Sequence, residues 1–159
     1  NLHAFHRDGS ASDYLESTTV DVPTMTLRDA AAGAGTRADL IRMDVEGHEV
    51  EILGQLIELV REDVMAPMVI FETHLSRYTP ENDFDPVLNG LFSLGYRVRT
   101  AASSSESGTA RLQALGYVGT DPFYSDFGTR SLFSNISNEH AVELICRTGG
   151  LRTVLLEKI

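Results

Sequence analysis

The sequence is poor in cysteine and in basic residues, and each shortage excludes a class of protein. Cys146 is the single cysteine among the 159 residues, so no disulfide can form within the chain and a reducing compartment is the simpler interpretation. Lysine and arginine together number 13 against 23 acidic residues, which gives a formal net charge of −10. Because nucleic-acid binding depends on clustered basic side chains, and no such cluster is visible, we expect no nucleic-acid partner.

Long apolar runs are also missing. No run approaches the length of a membrane span, and no signal peptide is visible, so we expect no membrane partner and a cytoplasmic protein. Hydrophobic residues still make up 42% of the chain. That fraction and length are enough for one domain with a core of its own, and we assign a single domain to residues 1–159.

The most informative stretch covers residues 38–49. The apolar run from Leu40 to Met43 has the length of a buried strand and ends on Asp44. Apolar residues then recur three and four positions apart, which predicts a helix over residues 46–63. Ligands bind at the carboxyl ends of strands in open α/β sheets, so Asp44 stands where a functional side chain is expected.

A second strand is predicted at residues 68–72, and it ends on Glu72 with His74 two positions later. Thr26 with Asp29 has capping spacing and predicts a short helix over residues 27–32. The alternation of strands and helices predicts an α/β fold with a mostly parallel sheet. The remaining predicted elements are strands at 2–6, 18–25, 96–100 and 153–157, helices at 85–94 and 138–147, and loops at 101–109 and 119–135.

These residues carry a family resemblance. The run Leu-Ile-Arg-Met-Asp-Val-Glu-Gly-His-Glu at residues 40–49, preceded by Val-Pro-Thr-Met-Thr-Leu at 22–27, resembles the central signature of the FkbM-type methyltransferases. The resemblance is clear over residues 20–71, with departures at Arg28, where the family commonly has an acid, and at Arg42, which replaces a common lysine. It implies S-adenosylmethionine as cofactor and a Rossmann-like class I methyltransferase fold, with three αβα layers and an antiparallel last strand.

The resemblance also implies that part of the family's domain is missing. In such enzymes a strand and glycine-rich turn hold the methionine part of the cofactor, and no segment before Thr18 can supply them. We therefore expect the carboxyl-terminal portion of a catalytic domain that lacks its first strands. One side of the strand at residues 40–43 would then be open, and we expect it to pair with the missing amino-terminal half or with a second chain.

The candidate site follows from the two strand ends. We assign catalysis to Asp44, Glu72 and His74, with His74 as general base, and cofactor binding to Asp44, Glu46 and Gly47. Asp44 and Glu72 resemble in placement the acids with which catechol-type methyltransferases hold magnesium, and hard oxygen ligands suit Mg²⁺. Plain alternatives are a helix-capping role for Asp44, a local hydrogen bond for His74, and either catalysis or capping of the helix dipole for Glu49.

The expected function is S-adenosylmethionine-dependent methyl transfer to a hydroxyl of a small-molecule acceptor, a sugar or a secondary metabolite. Two alternatives stay open. One is a non-catalytic α/β association module derived from a methyltransferase, and the other is a metal-dependent hydrolase built on Asp44, Glu72 and His74. The aromatic segment 119–135 is either a lid over the acceptor or a packed surface loop.

Overall fold

The computed structural model describes residues 23–35, 37–125 and 128–159. The predicted strand at residues 2–6 and most of the strand predicted at 18–25 lie outside these residues. The described helices are α1 (Leu27–Gly33), α2 (Glu49–Arg61), α3 (Asp85–Ser93), α4 (Glu106–Ala114) and α5 (Asn138–Val142), which continues as a π-helical turn (Glu143–Arg147). The described strands are β1 (Leu40–Met43), β2 (Met68–Glu72), β3 (Tyr96–Ser103), β4 (Thr120–Ser125), β5 (Gly128–Ser134) and β6 (Leu151–Lys158). None of the described helices has the length and apolar character that crossing a membrane requires.

Local capping signals predicted the helix ends well. The Thr26 hydroxyl accepts a hydrogen bond from the backbone N–H of Asp29 (3.1 Å) and donates one to the Asp29 carboxylate (2.7 Å), as the capping spacing predicted. Ser137 accepts from the backbone N–H of His140 at the start of α5. Gly95, with φ of +90°, follows α3 in the left-handed conformation that ends many helices.

Helix α2 begins three residues later than the predicted helix. Glu46 (φ +54°) and Gly47 (φ +107°) are both left-handed, so neither can belong to a right-handed helix. The turn they form reverses the chain after β1, and the first helical residue is Glu49. The later start places Glu49 in the first turn of α2, where its side chain is buried.

The described strands form one mixed sheet in the order β1-β2-β6-β3-β5-β4. Strands β1 and β2 are parallel, with Met43 opposite Phe71, and the other four neighbouring pairs are antiparallel. The expectation of a mostly parallel sheet is therefore wrong. Strand β6 does run antiparallel, as the resemblance implied, and it lies between β2 and β3.

The core lies on one face of this sheet. Val69, Phe71 and Val154 point to that face and are fully buried beneath the helices. Their neighbours Ile70 and Leu155, which pair with each other on the opposite face, are only half-buried. Because side chains alternate along strands, the described residues make two layers, and the second helix layer implied by the resemblance is not among them.

Two segments predicted as loops are ordered secondary structure. Residues 101–103 extend β3, the serine-rich stretch leads directly into α4, and residues 120–125 and 128–134 form the paired antiparallel strands β4 and β5. Ser103 accepts a hydrogen bond from the backbone N–H of Ser131 (3.0 Å) and shares one with Thr109 (2.7 Å), so these buried polar groups satisfy each other. Phe133 is buried opposite Ala101. Within residues 119–125 and 128–135, the lid interpretation therefore loses the long loop on which it depended.

Candidate active site

The carboxyl ends of β1 and β2 meet at one edge of the sheet, because these two strands are parallel neighbours. Asp44 follows β1, Glu72 is the last residue of β2, and His74 lies two positions beyond it. One carboxylate oxygen or ring nitrogen from each of the three lies within 4.8 Å of the other two. The structure thus brings together the three residues that the sequence assigned to catalysis, and we call this edge the acidic rim.

The left-handed turn after β1 packs tightly against the segment after β2. A Cβ atom placed on Gly47 would lie 2.6 Å from Cβ of Arg77, and the φ of +107° is unfavourable for any other residue. The side-chain amide of Asn82 donates to the Gly47 carbonyl (3.1 Å). Gly47 therefore has a packing role, while its predicted contact with the cofactor stays a prediction. The turn leaves the carboxylate of Glu46 exposed at the rim.

His74 is held from two sides. Its ring nitrogen Nδ1 lies 2.8 Å from Oε1 of Glu49, and its backbone N–H donates to the hydroxyl of Tyr78 (3.0 Å). Glu49 is 0% exposed and His74 is 6% exposed. The Glu49 carboxylate also accepts from the backbone N–H of Val45 (3.3 Å), so it connects the turn after β1 with the segment after β2.

The other ring nitrogen of His74 faces the rim. Nε2 lies 3.4 Å from Oδ1 of Asp44 and 3.7 Å from Oε1 of Glu46. It is buried and makes no hydrogen bond with any described residue. A buried polar atom without a partner costs free energy, so Nε2 needs a hydrogen-bonding ligand, as does the buried Oε2 of Glu49.

Burial also affects Tyr78, the residue that holds the His74 backbone. Removal from water raises the pKa of the Tyr78 phenol well above 10.0, and the negative charge of Glu49 adds to this effect. The phenol therefore stays protonated and neutral across the physiological range, and its oxygen remains an acceptor for the His74 N–H. No sequence signal pointed to Tyr78.

Glu72 has a cationic partner that sequence reasoning missed. Its Oε2 lies 2.7 Å from the guanidinium of Arg152, which also donates to the backbone carbonyl of Thr73 (3.2 Å). Arg152 belongs to β6, and the antiparallel pairing of β6 with β2 places Thr153 opposite Glu72. Arg152 could have been predicted at this site only from the antiparallel last strand that the family resemblance implies, if that strand had been placed beside β2.

The rim fits magnesium poorly in this arrangement. Asp44 and Glu72 offer oxygen ligands, but the third nearby donor is the His74 nitrogen, and Mg²⁺ prefers oxygen ligands in near-octahedral geometry. The Arg152 cation already neutralises Glu72, so metal binding would have to displace it. A mixed nitrogen and oxygen donor set suits transition metals better. The methyl transfer proposed for this site involves no bound metal.

Next to the rim is a groove of about 440 Å³. Its lining includes His74 and Glu46 on one side and Arg152 with Gly149–Gly150 on the other. A larger cavity of about 590 Å³ lies between α1 and the start of α2 and includes His48, but it contains none of Asp44, Glu72 and His74. We take the smaller groove as the candidate substrate site, because His74 and Glu46 of the rim line it.

An α/β sheet with acids gathered at the carboxyl ends of two parallel strands defines a broad class of proteins with a ligand site at that edge. Within this class, the family model "Methyltransferase FkbM domain" matches residues 3–98, more than half of the chain. The chain therefore belongs to the FkbM methyltransferase family, which confirms the resemblance and indicates methyl transfer. The matched region includes β1, α2, β2 and all the rim residues except Arg152. No curated protein matches the sequence. No solved structure matches it either.

Proposed function

We propose that this protein is an S-adenosylmethionine-dependent O-methyltransferase in which the acidic rim binds the acceptor hydroxyl and His74 removes its proton. The acceptor is a small molecule, a sugar or a secondary metabolite. One observation carries the proposal: in a chain of a methyltransferase family, the only buried ring nitrogen among the described residues without a hydrogen bond is Nε2 of His74, at the carboxyl ends of β1 and β2. A hydroxyl group entering the neighbouring groove would supply the missing hydrogen bond.

The chemistry of the step is a substitution at carbon. When bound, S-adenosylmethionine supplies a methyl group on a positively charged sulfur. The acceptor oxygen forms the new carbon–oxygen bond as the sulfur–carbon bond breaks, and the hydroxyl proton passes to Nε2 of His74. Since no covalent bond to the protein is needed, the main work of the residues is to hold the hydroxyl in line and to accept its proton.

The carboxylates of the rim have separate tasks in this proposal. Asp44 and Glu46 are exposed, carry negative charge and lie within 4 Å of Nε2, so they suit hydroxyl groups and a cationic ligand. Glu72 is held by Arg152 and faces the same edge. Negative charge in place before the reaction favours binding of a sulfonium, and neighbouring hydroxyls of the acceptor that donate to Asp44 orient the reacting hydroxyl toward Nε2 of His74.

The described residues supply only part of a cofactor site. Among them, no strand is followed by a glycine-rich turn and a helix that could hold the methionine part of the cofactor. Strand β1 is at one end of the described sheet, and its Leu40 is 48% exposed. We propose that another segment, from the same protein or from a second chain, pairs with the free side of β1 and completes the site, because an open apolar edge favours such pairing.

Calorimetric titration with S-adenosylhomocysteine tests the binding half of the proposal. We expect binding by the protein together with the segment that pairs with β1, and about 5–30-fold weaker binding by Asp44→Asn, since removal of one charge at a partly exposed site is worth about 1–2 kcal/mol. Glu51→Gln, which removes a charge from the solvent side of α2, is the matched control and should bind as the wild type does. Equal affinities for all three proteins would contradict the role of Asp44. No binding by any of them, with or without the segment that pairs with β1, would favour the non-catalytic module, and binding only with that segment would favour an incomplete site.

Methyl transfer itself is tested with methyl-labelled S-adenosylmethionine and a panel of small hydroxyl compounds that includes monosaccharides. We expect label in an ether linkage and its loss in His74→Ala. Label on an amine, or full transfer by His74→Ala, would contradict the proposed reaction.

A further inference from the structure

We propose that Glu49 is a positioning residue that holds His74 in the tautomer protonated on Nδ1, so that Nε2 presents a lone pair to the acidic rim. The catalytic consequence rests on the function proposed above, but the tautomer can be observed without any activity. The sequence left Glu49 undecided between catalysis and helix capping. The contacts around its carboxylate indicate a third role.

The first step of the argument is burial. Glu49 is 0% exposed, although glutamate is among the residue types that are almost never fully buried without a partner. Its partner is Nδ1 of His74 at 2.8 Å, which is a short distance for a nitrogen–oxygen hydrogen bond and suggests that one of the groups is charged. Such a pair is costly to desolvate, so it indicates a specific role more than a contribution to stability.

The second step assigns the proton. Oε1 of Glu49 accepts a hydrogen bond from the Val45 backbone N–H and also lies against Nδ1 of His74. An ionised carboxylate can only accept hydrogen bonds, so the proton between the two side chains belongs to Nδ1. In a neutral imidazole with Nδ1 protonated, Nε2 carries the lone pair.

The third step concerns what surrounds Nε2. Its nearest polar neighbours are the carboxylates of Asp44 (3.4 Å) and Glu46 (3.7 Å). Both distances are longer than an ordinary N–H···O hydrogen bond, and Nε2 makes none with the described residues, whereas Nδ1 makes one of 2.8 Å. A lone pair facing two carboxylates is not satisfied by them. It needs an O–H donor, and a hydroxyl in the adjoining groove is a donor of that kind.

The fourth step is the effect on the reaction. When Nε2 accepts a proton, the ring becomes an imidazolium, and the Glu49 carboxylate on the opposite nitrogen stabilises that charge. The same division of labour is described for the aspartate of serine-protease triads, which orients a histidine and does not itself become protonated. The hydrogen bond from the His74 backbone N–H to Tyr78 fixes the main chain from which the ring projects, and the contact of Nδ1 with Glu49 orients the ring itself.

Long-range ¹H–¹⁵N NMR of the histidine side chains tests the assignment. His74 signals are identified by their loss in His74→Gln. We expect the wild-type protein at neutral pH to show Nδ1 as the protonated nitrogen and Nε2 as the unprotonated one. A ring protonated on Nε2 alone, or on both nitrogens, would overturn the proposal.

Substitutions of Glu49 then test whether its carboxylate keeps Nδ1 of His74 protonated. Glu49→Met keeps the length of the side chain but removes the acceptor, so the Nδ1-protonated pattern should be lost. Glu49→Gln retains a carbonyl oxygen for both Val45 and His74, so it should restore the pattern. Glu51→Met, which removes the partner of the exposed His48, is the matched control and should leave His74 unchanged. An unchanged His74 spectrum in Glu49→Met would overturn the role of Glu49 even if that variant is less stable.

The positioning role of Glu49 and the proposed methyltransferase function are contradicted by different results. If the Nδ1-protonated pattern is present but the protein transfers no methyl group to any hydroxyl, the proposed function is wrong and the positioning role stands. If methyl transfer is observed and kcat is the same in Glu49→Met as in the wild type, the positioning role is wrong and the proposed function stands. We expect a loss of at least about tenfold in kcat with little change in KM, because Glu49 contacts His74 and not the substrate.

Discussion

Two histidine–glutamate pairs lie at the start of α2, and they differ mainly in their surroundings. In the first, Nδ1 of His74 lies 2.8 Å from the carboxylate of Glu49, and both side chains are buried. In the second, Nδ1 of His48 lies 3.2 Å from the carboxylate of Glu51, and the two side chains are 50% and 71% exposed. The glutamates are two positions apart on the helix, so they point to opposite sides of it.

The difference shows how solvent decides what such a pair can do. Water competes for both partners of the exposed pair and screens their charges, so its net contribution is small. The buried pair has no water to replace a lost partner, and its geometry is therefore maintained. Of the two pairs, only the buried one has the surroundings that could hold a single tautomer and ring orientation, which the proposed proton transfer requires.

Replacement of the two histidines should give the largest difference between the pairs. We expect His74→Ala to lower the rate of methyl transfer by about 10²–10⁴-fold, the usual contribution of a positioned general base, and His48→Ala to leave it within about twofold. The measurement is initial rate with labelled S-adenosylmethionine and an accepted hydroxyl compound. Comparable losses in the two variants would remove the functional distinction between the pairs.

Replacement of the two glutamates should separate the pairs in stability. Glu49→Met leaves the buried Nδ1 of His74 without its acceptor and should lower the free energy of unfolding by about 3 kcal/mol. Glu51→Met should change it by no more than about 0.5 kcal/mol, because the group is on the surface. Urea unfolding of both variants provides the comparison. Equal shifts of the midpoint would show that burial does not control the strength of the interaction.

Replacing two glycines tests whether the turn before α2 is needed to place Glu49. Gly47 belongs to that turn, whereas Gly54 lies in the middle of α2. Gly47→Ala should destabilise the protein by about 2 kcal/mol, since the left-handed backbone is strained for alanine and the new Cβ would lie 2.6 Å from Arg77. Gly54→Ala should stabilise it by about 0.5–1 kcal/mol, because no atom lies within 4 Å of the added Cβ. Thermal unfolding in which both variants shift in the same direction would contradict the turn's structural role.

The smallest predicted effect is on the free energy of unfolding at alkaline pH. Tyr78 has a folded-state pKa above its ordinary value of 10.0, so between those values the unfolded chain binds fewer protons than the folded one and stability falls as pH rises. Tyr78→Phe should cost about 1 kcal/mol at neutral pH through the lost bond to His74, and this difference should shrink above pH 10.

Other buried groups do not obscure this result. Burial also raises the pKa of Tyr96 and of Cys146 to about 12 each, which lowers the stability of both proteins alike at high pH. Only the difference between the wild type and Tyr78→Phe reports on Tyr78. A difference that stays constant from pH 8 to pH 11, measured by urea unfolding, would contradict the raised pKa.

Features with local signals could be predicted from the sequence. The capping pair of Thr26 and Asp29, the strand Met68–Glu72 and the stop at Gly95 each depend on neighbouring residues, and the structure agrees with all three. The meeting of Asp44 and Glu72 could also be predicted, because the ends of neighbouring parallel strands lie at the same edge of a sheet.

Features that depend on distant pairing could not be predicted. Glu49 and His74 are 25 residues apart, and their contact exists only because the left-handed turn at Glu46 and Gly47 delays the start of α2. Arg152 reaches Glu72 from β6. The pattern at residues 119–135 predicts a loop because strand β4 is almost wholly exposed and lacks the apolar alternation by which strands are recognised.

The position of β6 has a consequence for the order of folding. Strands β2 and β3 do not pair with each other, and β6 joins them by pairing with both. While the ribosome is still making residues 96–150, the β1–β2 pair and the later strands are therefore two separate groups, each with an exposed edge open to other nascent chains. Only when residues 151–158 have emerged can the two groups join and Arg152 reach Glu72, so the acidic rim gains its cation last.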